Sequence, residues 1–178
     1  MHVLLTGATG YIGTRLVEKL AKSGNRVSAI VRPDSDIFRI SANASCHRVE
    51  PGFGNLDSLV ADLRPEVTVH LATHQKQTNG SVGEIIETNI EFGVCLLDAL
   101  VKHECSRVVN AGTYWQFDEQ GHSSPNTIYA ATKTAFQSLL EYYCSRSGIQ
   151  AISLILYDVY GPDDWRRKFL TDILMAGQ

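Results

Sequence analysis

The chain has 178 residues, 20% of them charged and 44% hydrophobic, with a formal net charge of −3. A length of this order suits one folded domain, and the slight acidity leaves no basic stripe for nucleic acid or an anionic membrane. No apolar run approaches the roughly 18 residues of a membrane span, the N-terminus has no basic leader, and Cys46, Cys95, Cys105 and Cys144 lack metal-ligand spacing. A soluble cytoplasmic protein with free thiols and no metal, acting on a small molecule, is expected.

"HVLLTG" reads as a first strand and "GTRLVEKLAKSG" as the helix after it, with Leu16, Val17 and Leu20 at helical spacing and Gly24 placed for a left-handed cap. Between them "TGATGYIG" sets Gly7, Gly10 and Gly13 three apart. Glycine allows the tight turn and the close approach of backbone to a pyrophosphate, which would lie against the N–H groups of the helix. In the context of strand, loop and helix, that pattern points to a dinucleotide.

"RVSAIVR" is the second strand. Its end usually carries an acid for the ribose 2′-hydroxyl of NAD, yet Arg32 stands there, a fork of donors suited to a phosphate. NADP is therefore expected, with NAD as the alternative through Asp34 or Asp36. "SCHRVE", "VTVHLAT", "RVVNAG" and "AISLILYD" follow as further strands, apolar on both faces as buried parallel strands are.

A long helix lies between "VTVHLAT" and "RVVNAG", with Ile86, Ile90, Val94, Leu97 and Val101 on one side and Ile85, Phe92, Leu96 and Leu100 on another. The helix "YAATKTAFQSLLEYY" is also broadly apolar. Helices 85–101 and 129–145 thus read either as sheet packing or as a homodimer interface. The alternation of strands and helices implies a doubly wound α/β fold, three layers α/β/α over a parallel sheet, with ligands at the carboxyl ends of the strands. Tyr129 and Lys133, four apart, share one side of the later helix.

With "TGATGYIG", "VHLAT", "TNIEFGVCLLDAL", Tyr129-x-x-x-Lys133 and "YDVYGP" in this order, the chain resembles the extended short-chain dehydrogenase/reductase family, near the NAD-dependent epimerase/dehydratases. Within it, "AGTYWQF", "IYAATKTAF" and "LYDVYGP" are most similar to nucleotide-sugar 4-ketoreductases of the CDP-abequose and CDP-paratose synthase kind. The resemblance implies a Rossmann fold over 1–178. It also implies a cofactor site of Gly7, Gly10, Tyr11, Ile12, Gly13, Arg32, Leu71, Ala72, Thr73, Asn89, Tyr129, Lys133, Tyr157 and Val159. Thr113, Tyr129 and Lys133 become the catalytic set: Thr113 holds the substrate oxygen, Tyr129 exchanges a proton with it, and Lys133 stabilises the phenolate and holds the nicotinamide ribose.

Several positions depart from the family pattern. Glu50 stands where relatives carry an aspartate beside the adenine, Asp158 replaces an asparagine and Ile155 an arginine, and the stretch from Thr113 to Tyr129 is short. Tyr114 and Trp115 occupy the place of the Asp-Glu pair of 4,6-dehydratases, which removes dehydration. Relatives carry a C-terminal domain that closes over the sugar; here only its beginning, from about residue 164, is expected. The leading reading is 4-keto reduction of a nucleotide sugar or its epimerisation. The alternatives are a non-catalytic NADP-binding module or redox sensor, or reduction of another small carbonyl compound.

Overall fold

The computed structural model describes residues 1–75, 81–166 and 173. Six strands, β1 (His2–Thr6), β2 (Arg26–Val31), β3 (Ser45–Arg48), β4 (Val67–His70), β5 (Arg107–Thr113) and β6 (Gln150–Leu156), form one sheet in the order β3-β2-β1-β4-β5-β6. Every neighbouring pair is parallel. The order reverses between β1 and β4, and in such sheets the ligand crevice opens at the carboxyl ends of the two strands flanking the reversal.

The strand sequences explain their burial. All five residues of β1 are buried, with alternate side chains entering different cores. Val3 and Leu5 join Val27, Ala29 and Val17 of helix α1 (Tyr11–Lys22) on one face. Leu4 faces the other side, among residues of α2 (Leu56–Leu63), α4 (Phe92–Lys102) and α5 (Ile128–Arg146). Three layers result, as expected. Beyond α1, Gly24 takes the left-handed conformation, φ +75°, that its position suggested.

The segment before α4 is less regular than its apolar periodicity implies. A short helix α3 (Val82–Ile86) runs into a π-helical turn, Glu87–Glu91, and then into α4. Ile85, Phe92, Leu96, Leu97 and Leu100 are buried, whereas Ile86 is exposed and Ile90, Val94 and Val101 are half-buried. One of the two apolar sides makes the core. Strand β6 also departs from the two-sided burial expected of it: it is an edge strand, with Ile152 64% and Leu154 49% exposed. No helix among the described residues is long and apolar enough to cross a membrane.

One polar side chain sits deep in the α4/α5 face. His70 is fully buried beneath Phe92 and Phe136, bonded through Nδ1 to Thr6 Oγ1 at 2.8 Å. Burial first, and the charge of Lys133 second, hold its pKa down to about 3. Burial lowers His2 and His47 as well. Below about pH 6.5 the unfolded chain takes up protons that the folded chain refuses. The stabilisation is therefore complete above that pH and falls as pH drops, by up to about 1.4 kcal/mol per pH unit for fully buried His70. Urea unfolding between about pH 7 and 5 should show this slope, and His70→Leu should make it shallower by up to one proton.

Candidate functional site

The glycine loop is a backbone-on-backbone structure. Gly7 has φ +69°, and a Cβ there would lie 2.6 Å from Ala72 N and from Leu71 C; at Gly13 it would lie 2.3 Å from Gly7 O. Side chains at these positions would push the loop off the sheet or off its own helix. Gly10 begins α1 with no side-chain cap and no acidic residue in the first turn. The N–H groups and positive end of the helix are left for an anion.

Tyr11 and Ile12 start the helix, and the Tyr11 ring is used for packing. The guanidinium carbons of Arg15 and Arg166 lie 4.0 and 4.3 Å from its centroid, Trp165 meets it edge-on at 5.6 Å, and its hydroxyl donates to the Pro162 carbonyl at 3.2 Å. Residues 162–166 thus lie against the start of α1.

Past β4 the chain is captured by a single side chain. Buried Asn89, inside the π-helical turn, accepts from the Thr73 hydroxyl at 3.1 Å and from His74 N–H at 2.7 Å; it donates to the His74 carbonyl at 3.0 Å and to Thr132 Oγ1 at 2.9 Å. Such turns recur at functional sites, and here the widened turn carries Asn89 to both β4 and α5. Leu71 and Ala72 lie against Gly7. Of the site residues inferred from sequence, Gly7, Leu71, Ala72, Thr73, Asn89, Tyr129 and Lys133 are joined into one continuous structure.

Tyr129 and Lys133 occupy the first turns of α5, which starts at Thr127, whose side chain caps Ala130 N–H at 3.1 Å. Lys133 is 3% exposed, with no hydrogen-bond acceptor reaching it among the described residues, and burial lowers its pKa to about 8. Burial pushes the Tyr129 phenol above its ordinary value, against a hydrogen bond with the Thr73 hydroxyl that pulls it back. Lys133 is not among the groups that shift the Tyr129 phenol, whose burial sets the direction. Thr113, the last residue of β5, is buried; its N–H donates to Gln116 Oε1 at 2.8 Å and its Oγ1 accepts from Trp115 N–H at 3.4 Å. That capping arrangement was readable as Thr-x-x-Gln.

The remaining positions lie further out. Arg32 is exposed, its Nε 3.8 Å from Asp34 Oδ1 and its carbonyl accepting from Arg48 at 3.0 Å. Tyr157 is 73% exposed and stacked parallel on Tyr114 at 5.1 Å, while the Val159 carbonyl accepts from Arg166 Nη2 at 2.9 Å. Trp115 meets Tyr129 edge-on at 6.3 Å, so aromatic rings border the phenol where the dehydratase acid pair would stand.

The family model described as "NAD dependent epimerase/dehydratase family" matches residues 3–176. The chain belongs to that family. CDP-abequose synthase of Yersinia pseudotuberculosis is 30% identical over 178 residues, covering 99% of this chain and 62% of the relative. The protein of the same name from Salmonella typhimurium is 31% identical, covering 97% and 58%. Among solved structures, UDP-glucose 4-epimerase of Thermus thermophilus in complex with NAD superposes with TM-score 0.83 at 25% identity, over 98% of this chain and 61% of that one. UDP-glucose 4-epimerase of Thermotoga maritima gives 0.83 at 23%, a likeness of fold. The chain thus spans about three fifths of the length of these epimerase/dehydratase relatives.

Removing the Asn89 side chain leaves Thr73, both polar groups of the His74 backbone and Thr132 without their partner. Asn89→Leu should lower stability by about 2–4 kcal/mol, measured by urea unfolding at neutral pH.

Proposed function

We propose that this chain is the nicotinamide-binding and proton-transferring part of a nucleotide-sugar oxidoreductase that reduces a 4-keto group. The observation that carries the reading is buried Lys133, without a hydrogen-bond acceptor, one helical turn beyond a Tyr129 held in its protonated form. A reduction needs an acid at the carbonyl oxygen, and a phenol whose pKa is raised stays an acid at neutral pH. Thr113 is assigned to hold that oxygen, and Lys133 to stabilise the phenolate left behind and to hold the ribose.

The residues present fit a dinucleotide. The cradle at Gly7 and Gly13 has no room for a Cβ, the start of α1 carries no acid, and Arg32, exposed beyond β2 beside Asp34, carries a guanidinium fork suited to a 2′-phosphate. When bound, NADPH supplies the hydride. Ala72, Thr73, Asn89, Tyr157 and Val159 are assigned to border it. Tyr114 and Trp115, in place of an acid and a base, favour reduction or epimerisation over dehydration. The names of the CDP-abequose synthases favour a nucleotide-activated sugar as substrate.

The same reading makes residues from about 164 the start of a domain over the sugar; 167–172 and 174–178 lie outside the described residues. The four free cysteines suit the cytoplasm. A homodimer through helices 85–101 and 129–145 also belongs to the reading, supported by exposed Ile86 and Tyr142 on those helices; light scattering that returns a monomer mass would remove it.

The test is to mix the chain with NADPH and a panel of CDP- and dTDP-4-keto-6-deoxyhexoses and to follow the loss of reduced-nicotinamide absorbance. Tyr129→Phe should cut turnover by about 10²–10⁴-fold while leaving cofactor affinity nearly intact, and Arg32→Ala should reduce the preference for NADPH over NADH by about tenfold. Tight NADPH binding without oxidation would replace this reading by that of a binding module.

A further inference from the structure

Among the described residues, the buried side-chain atoms without a hydrogen-bond partner include Thr68 Oγ1, His70 Nε2 and Asn110 Oδ1. Each of these three residues is 1% exposed, and they share one patch of the sheet. Thr68 and His70, two apart on β4, face the same side. His70 stands in register with Asn110 on β5, and Asn110 with Ser153 on β6. On the other flank His70 stands in register with Thr6 on β1.

The direction of each surrounding hydrogen bond follows from its neighbours. Glu141 accepts Gln137 Nε2–H at 2.9 Å, which turns Gln137 Oε1 toward Ser153. Ser153 Oγ donates to that oxygen at 2.5 Å; with its one proton committed, it accepts from Asn110 Nδ2 at 3.1 Å. Asn110 is left presenting Oδ1, an acceptor.

At the other end Thr6 Oγ1 accepts Ala72 N–H at 3.2 Å and lies 2.8 Å from His70 Nδ1. If Thr6 donates to Nδ1, Nε2 carries the hydrogen, and the unpaired groups include a donor and an acceptor. In the other tautomer the Thr6 proton has no acceptor among the described residues, and Nε2 and Oδ1 are both unpaired acceptors. Only the first arrangement is consistent along its whole length. Its unpaired groups are then one donor, one acceptor and one hydroxyl, the set a single buried water satisfies with the usual three or so bonds.

We propose that a buried water accepts from His70 Nε2–H, donates to Asn110 Oδ1 and makes its third bond to the Thr68 hydroxyl, closing one hydrogen-bonded file from Ala72 through Thr6, His70, Asn110 and Ser153 to Gln137 on α5. His70 and Asn110 are then positioning residues. They fix Thr6 Oγ1 as the acceptor for Ala72 N–H, against which the Gly7 backbone packs. The effect on cofactor binding rests on the dinucleotide reading above; the water and the tautomer do not.

Long-range ¹H–¹⁵N spectra should show His70 with a bare Nδ1 and a slowly exchanging Nε2–H, and a crystal structure should show one water within hydrogen-bonding distance of all three orphan atoms. Asn110→Leu should speed exchange of that Nε2–H by about tenfold or more and weaken NADPH binding by about tenfold. Thr68→Val, nearly isosteric, should speed exchange less and leave the tautomer unchanged. An Nδ1–H tautomer, a dry crystal site, or exchange untouched by either variant would overturn the file. Spectral changes with unaltered NADPH affinity would overturn the positioning role. Sugar turnover is not among these readouts, so failure of the ketoreductase reading shows separately, in the assay with keto sugars.

Discussion

The Gly7 backbone passes so close to the Leu71–Ala72 peptide that there is room for no side chain between them. This contact follows from the sheet order, which places β1 beside β4 where the winding reverses. Thr6 reinforces it twice: its carbonyl accepts Leu71 N–H at 3.2 Å and its hydroxyl accepts Ala72 N–H at 3.2 Å. With the end of β4 fixed against the glycine loop, Thr73 and His74 are delivered to Asn89, and Asn89 in turn reaches Thr132 on α5. Thr132 sits between Tyr129 and Lys133 in the chain. The glycine loop and the helix that carries Tyr129 and Lys133 are thus tied by a short series of defined bonds.

The widened helical turn is the irregularity that makes this connection. A regular helix through residues 82–102 would place Asn89 by the 3.6-residue period alone. The wide turn keeps Asn89 buried between Ile85 before it and Phe92 after it, both packed into the core. The cost of an irregular turn is offset by the hydrogen bonds of one amide side chain, all made away from solvent, where an unpaired polar group is expensive.

What could be read from the sequence was local. The glycine spacing, the alternation of strands and helices that implies a parallel sheet, the left-handed Gly24 and the Tyr129–Lys133 pair are each written in short runs of residues. The π-helical turn could not be read, because it is decided by contacts of Asn89 with β4 and α5 and leaves the apolar pattern nearly unchanged. Nor could the stacking of Arg166 on Tyr11 beside Arg15, which brings together residues separated by almost the whole chain. The in-register file Thr6, His70, Asn110, Ser153 was hidden for a related reason: each residue is a polar position within a largely apolar strand, and only strand register shows that they align. The Thr113–Gln116 cap, by contrast, lies within four residues and was within reach of the sequence.

Burial also decides which way the proton-transfer pair is poised. It favours the neutral forms of both partners, raising the Tyr129 phenol and lowering the Lys133 ammonium. A resting phenolate would have to be desolvated before any reaction began. A phenol that gives up its proton during the reaction creates its negative charge one helical turn from a cation, and that attraction is stronger in a water-poor site than in bulk water. The resting state, in which the phenol is neutral, has no such attraction. Lys133 therefore stabilises the site after the proton has left more than before. In the ketoreduction proposed above, that asymmetry favours donation to a carbonyl oxygen, and it arises from the burial of these two side chains on α5.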